Sequence, residues 1–137
     1  MDRNTILAVQ SSWLAVLDKA PAAGELFYAN LFETDPSLRY LFRGNLYEQA
    51  QKLIEMITET VRLLDDMEKL MPALQLLGQR HNDYHVSDGD YDTVGDVLIE
   101  TLEHALGDAL TPTTRQAWIV VYDTLAKVMI TGAPVHI

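Results

Sequence analysis

At 137 residues the chain is one ordinary domain, and 48% hydrophobic with 22% charged residues is a globular balance, neither disordered nor membrane-embedded. Twenty Asp and Glu against ten Lys and Arg give a formal charge of −10, and so few scattered cations exclude a nucleic-acid surface. The lack of cysteine removes disulfides, thiolate metal sites, cysteine nucleophiles and the C-x-x-C-H attachment of covalent haem.

No apolar run approaches the roughly 18 residues of a membrane span. The start MDRNTILAVQ is amphipathic and unlike a signal peptide, so a cytoplasmic location is expected.

In chain order, Asn4-Thr5 are expected to cap a first helix in which Ile6, Val9, Trp13, Val16 and Leu17 recur at helical spacing, running to about Lys19. Pro21 suits the first turn of a second helix carrying Leu26, Phe27, Asn30 and Leu31, which Asp35-Pro36 must end. A short segment follows to Phe42, and Arg43-Gly44-Asn45 reads as a loop. A long helix from Leu46 to about Leu64 puts Gln49, Leu53, Met56, Ile57 and Thr60 on one face. Met67 to Met71 is expected as a separate helical turn, with Pro72 restarting the chain into a helix that Ser87-Asp88-Gly89 ends. Tyr91 to Leu106 has Val94, Val97, Leu98, Thr101, Leu102 and Ala105 inward and is closed by Gly107. After the Thr111-Pro112 cap, Trp118, Val121, Tyr122, Leu125 and Met129 form the apolar face of the last helix, and the tail TGAPVHI is expected to fray. Without a period-2 strand or a repeat, the chain is expected to be all-α, with five substantial helices and two or three short ones in a single domain.

The sequence lacks a Gly-rich phosphate loop, a G-x-S-x-G elbow, an H-E-x-x-H zinc motif and a Glu-x-x-His pair for di-iron chemistry. What stands out is His81, which ends the apolar stripe of Leu74 and Leu77 at i, i+3 and i+7. An imidazole there either hydrogen-bonds the last carbonyls of its own helix or ligates a metal in an apolar slot. His81 and His85, at i and i+4, could share one metal if the helix ran through both, but no further ligand cluster accompanies them. His104 reads as solvated, His136 as part of the tail, and the many carboxylates as surface. If the helices of Gln49 and His81 face each other, Leu53, Ile57, Leu74, Leu77 and Phe42 line a slot with a nitrogen below and an amide above. Such a slot suits a flat iron porphyrin held without covalent bonds.

These residues resemble the globin family, and within it the bacterial single-domain globins related to the haem domain of flavohaemoglobins. The resemblance covers about Asn4 to Met129 and rests on LFYANLFETDPSLRYLF at 26–42, EQAQKL at 48–53 and LGQRH at 77–81. It continues through DYDTVGDVLIETL at 90–102, LGDALTPTTRQAW at 106–118 and VYDTLAKVM at 121–129. It implies a globin fold of about six to eight helices around a haem b pocket, with His81 as the iron ligand and Phe42 as the ring wedged against the porphyrin. It further implies Tyr28 and Gln49 as distal donors to a bound gas, Leu53 as their apolar neighbour, and Leu77, Val86, Tyr91 and Val94 as haem contacts. The alternative for Tyr28 is a core tyrosine bonded to a backbone carbonyl. Lys52, Arg80 and His85 are either propionate partners or plain surface charge.

The sequence departs from flavohaemoglobins where Ala133 stands at the place of a glutamate that supports the proximal histidine beside Tyr91, so a weaker electron push on the iron is expected. With the sequence ending at Ile137, no flavin or nicotinamide domain is expected, so turnover is expected to require a separate reductase. The expected function is reversible O2 binding, for storage or transport, by a monomer or weak homodimer whose partners are O2, NO and CO. The alternatives are a nitric oxide dioxygenase served by that reductase, or a haem-based gas sensor.

Overall fold

The computed structural model describes residues 1–20, 22–42, 44–83 and 85–132. The expectations placed on Pro21, Arg43, Ala133 and His136 fall outside them. Among the described residues there are six α-helices and three short 3-10 turns and no strand. The helices are α1 (Arg3–Leu17), α2 (Ala22–Thr34), α3 (Leu46–Arg62), α4 (Met67–Asp83), α5 (Asp88–Leu106) and α6 (Pro112–Thr131). The 3-10 turns are Pro36–Leu41, Leu63–Asp65 and Gly107–Ala109.

Side-chain caps set most helix starts, because the first N–H groups of a helix have no partner within it. The Asp2 carboxylate accepts from the Thr5 N–H at 2.7 Å, so α1 begins before Asn4-Thr5, which lie inside the helix instead of capping it. Asn45 accepts from the Tyr47 N–H at 2.8 Å and opens α3. Thr111 caps α6 ahead of Pro112. Ser87 and Asp90 form a reciprocal capping box, so α5 starts at Asp88, three residues before the expected Tyr91.

Pro72 does not divide the chain as expected, since α4 runs unbroken through it. A proline here removes one N–H, which would have bonded the Glu68 carbonyl, and Leu70 and Leu74 are both buried on either side of it. Continuous burial of that face outweighs one lost bond. At its other end α4 stops at Asp83, and His85 lies beyond it in the left-handed region at φ 61°. His81 and His85 therefore do not share a helical face, and no group of three metal-ligating side chains exists among the described residues.

α1 packs on α6, α2 on α5 and α3, and α4 and α5 on α6. The main core joins Val9, Trp13 and Val16 to Leu64, Leu70, Leu102, Trp118 and Val121, with the two indole rings 5.9 Å apart. Each indole N–H finds a hydroxyl, Trp13 at Thr58 (2.9 Å) and Trp118 at Ser12 (2.8 Å). A second cluster gathers Phe27, Tyr28, Leu31, Leu38, Ala50 and Val97. Close approach of α2 and α3 requires Gly24, where a Cβ would lie 3.0 Å from both the Ala50 Cβ and its carbonyl oxygen. The apolar face of α3 is different: Leu53, Ile57 and Thr60 are only half-buried and Met56 is exposed. That face fronts a cleft.

Candidate functional site

The cleft opens between α3 and α4 and runs inward to α5 and α6. Its cavity is about 170 Å³ within a space of about 960 Å³ that includes the open mouth. Leu53, Met56, Ile57 and Thr60 come from α3, Leu74, Leu77 and His81 from α4, and Tyr91, Val94 and Leu98 from α5. Val86 lies at the turn between α4 and α5, and Trp118, Val121, Tyr122, Leu125 and Met129 close the inner wall from α6. The wall is almost wholly hydrocarbon, as a site for an apolar ligand should be.

Each polar group in such a wall must have a partner or be available to a ligand. The Thr60 hydroxyl donates to the Met56 carbonyl at 2.8 Å, and the Asp90 carboxylate accepts from the Ser87 N–H at 2.9 Å. The Tyr122 hydroxyl donates to the Tyr91 carbonyl at 2.6 Å, with burial and nearby carboxylates raising its pKa. His81 Nδ1 lies 2.7 Å from the Leu77 carbonyl. A carbonyl can only accept, so Nδ1 carries a hydrogen, and in the neutral ring Nε2 then carries the lone pair. Nε2 makes no hydrogen bond among the described residues, and the Tyr91 ring flanks the imidazole at 5.9 Å between centroids. The two sequence readings of this histidine are therefore compatible, since it bonds its own helix through one nitrogen and leaves the other without a partner among the described residues. One available imidazole in an apolar cleft fits a flat porphyrin whose iron takes a single nitrogen from the protein.

The structure brings Leu53, Leu77, His81, Val86, Tyr91 and Val94 together in the lining, with Ile57 and Leu74 of the expected slot. Phe42 and Tyr28 are not in the lining. They pack edge to face, centroids 5.0 Å apart, in the second cluster, against which Leu53 and Val94 of the cleft wall also pack. Tyr28 is 4% exposed, and burial pushes its phenol up to about 12. It makes no hydrogen bond among the described residues and packs in the core of the second cluster, whereas Tyr122 is a tyrosine bonded to a backbone carbonyl. Gln49 is half-buried in the first turn of α3, outside the lining. Lys52, Arg80 and His85 are exposed, outside the lining, and in no ion pair among the described residues. The inner wall from α6 was readable only as core, because helical spacing marks an inward side chain whether it meets a neighbour or a cavity.

The comparisons with known proteins agree with this geometry. Residues 25–129 match the globin family. The chain is 29% identical to a flavohaemoprotein of Vibrio cholerae over 87% of its own length and 31% of that protein's, so it spans about a third of that relative. Neuroglobin of Danio rerio is 28% identical, with 90% of this chain and 87% of that one covered. Among solved structures, an engineered carbene transferase from Rhodothermus marinus, built on a globin resembling nitric oxide dioxygenases, superposes with a TM-score of 0.85 at 27% identity, covering 96% and 92% of the two chains. A hexa-coordinate haemoglobin of Drosophila melanogaster superposes with a TM-score of 0.87, covering 97% and 95%, and at 16% identity it speaks for the fold alone. The chain has the globin fold and belongs to the globin family, whose proteins bind haem and, through it, diatomic gases.

Proposed function

We propose that the cleft holds haem b without covalent attachment, that His81 Nε2 ligates its iron, and that the protein binds O2 reversibly. The observation that carries this reading is the fixed tautomer of His81, with Nδ1 committed to Leu77 and Nε2 left in the cleft wall. Haem, when bound, supplies an iron with one open coordination position for a diatomic gas. Leu53, Leu77, Val86, Tyr91 and Val94 would exclude water from the porphyrin, with Phe42 in the cluster against which Leu53 and Val94 pack. Lys52, Arg80 and His85, exposed and free of ion pairs among the described residues, would be available to pair with the propionates. The reading extends to gas release. With its pKa near 12 the Tyr28 phenol remains a neutral O–H donor at physiological pH, and the Gln49 amide needs no protonation either. A hydrogen bond from either residue contributes about 1–3 kcal/mol, or roughly tenfold to a hundredfold, chiefly by slowing release. Replacing Tyr28 with Phe keeps the ring and its packing, so O2 release measured by stopped flow is expected to accelerate about tenfold or more. An unchanged rate would remove Tyr28 from the distal role.

A second reading, nitric oxide dioxygenation with a separate reductase, draws on the flavohaemoprotein relative and the dioxygenase-like Rhodothermus neighbour. Reduced protein equilibrated with O2 and mixed with NO is expected, on that reading, to yield stoichiometric nitrate and ferric haem. Protein that keeps its reduced spectrum without forming nitrate would dispose of it.

A further inference from the structure

Met56 has two properties that no other methionine of the chain combines. It is 39% exposed, whereas Met1, Met67, Met71 and Met129 are each half-buried against the main core. It also belongs to the cleft wall, one turn after Leu53 and one before Thr60 on α3, and it packs in neither core cluster. A leucine there would serve an apolar wall equally well; on a residue this exposed, the thioether adds a sulfur that can be oxidised.

We propose that Met56 is the site at which this chain is oxidised by a neutral hydroperoxide, and that its sulfoxide loosens the hold of the cleft on haem. The sulfur attacks the peroxide, the O–O bond breaks as the S–O bond forms, and water leaves when the oxidant is hydrogen peroxide. Sulfur loses two electrons and the peroxide gains them, and a thiol-dependent sulfoxide reductase reverses the change. A formal charge of −10 repels anionic oxidants and leaves uncharged peroxides as the class that reaches the mouth. Once formed, the sulfoxide puts a strong dipole on a wall that is otherwise nearly all hydrocarbon, and the wall then tolerates water where it had favoured porphyrin.

The effect on haem rests on the haem reading above, whereas the order of oxidation does not, so the two are measured separately. Holo-protein kept reduced under carbon monoxide, and the same protein stripped of haem, are titrated with hydrogen peroxide and mapped by peptide mass spectrometry. Met56 sulfoxide is expected to form about fivefold faster than sulfoxide at Met67, Met71 or Met129 in both. Transfer of haem to excess apomyoglobin is expected to speed up about threefold or more after oxidation, to recover after treatment with sulfoxide reductase, and to be insensitive to peroxide in Met56→Leu. Oxidation of another methionine as fast as Met56, or unchanged haem transfer from protein oxidised at Met56, would overturn the proposal. Untreated protein that shows no Soret band even with added haemin would count instead against the haem reading.

Discussion

His81→Ala is expected to lower haem retention by more than about tenfold and to abolish the histidine-ligated spectrum, because it removes the one imidazole that the described residues place in the cleft wall. The expectation depends on how the ring is held. Its Nδ1 hydrogen is fixed on the Leu77 carbonyl one turn back, and the Tyr91 ring limits its rotation, so Nε2 is presented without reorganisation. Truncation leaves a gap the size of an imidazole above an otherwise intact helix. Free imidazole added to His81→Ala should fill it and restore a six-coordinate or histidine-like Soret band. His104→Gln is the matched control, since His104 is exposed on α5 and lies outside the lining. Absorption spectra and haem transfer rates of the two variants separate the roles. Equal loss in both, or normal ligation in His81→Ala, would refute the assignment of His81.

The sequence shows this site unevenly, and for physical reasons. His81 was conspicuous because polar residues seldom end an apolar helical stripe, and the bond to Leu77 follows from the i, i−4 geometry of any helix. The inward faces of α1, α5 and α6 were legible from spacing alone, as the burial of Val9, Trp13, Val97, Leu102 and Val121 shows. Helix boundaries were less so. Proline is a strong local signal, but at Pro72 the buried Leu70 and Leu74 outweighed it, and local propensity gave way to tertiary packing. The reverse happened after Asp83, where a left-handed residue ended α4 with no glycine to announce it. The Ser87–Asp90 capping box extended α5 back to Asp88, where the sequence pattern marks only the end of the preceding helix. The contribution of α6 to the cleft was not legible at all. Trp118 and Val121 look identical in sequence whether they contact leucines or line a cavity, and only the spacing between helices distinguishes the cases.

That spacing depends on Gly78, and Gly78→Ala is expected to destabilise the protein more than any other single added methyl group at its glycines. A Cβ on Gly78 would lie 2.8 Å from the Met129 Cα, 2.9 Å from its carbonyl carbon, and closer still to the carbonyl oxygen. All three atoms are backbone of α6, so no rotamer change relieves the overlap and the two helices must separate. At Gly95 the new methyl would meet the ring edge of Tyr122 at 2.7 Å, which a side-chain shift can partly relieve, and at Gly89 the nearest atom is the Ser87 hydroxyl at 3.8 Å. Overpacking of this kind costs about 3 kcal/mol, a fall in Tm of roughly 10 °C for a domain of this size. The consequence reaches the site because Gly78 precedes His81 by three residues on α4, while Met129 lines the cleft. Pushing α4 away from α6 moves the imidazole and widens the inner wall together. Thermal unfolding of Gly78→Ala beside Gly89→Ala should therefore show a large loss in the first and little change in the second. Haem transfer should also be faster for Gly78→Ala at temperatures where both variants remain folded. If Gly78→Ala matched Gly89→Ala in Tm, the close crossing of α4 and α6 would not be what sets the position of His81.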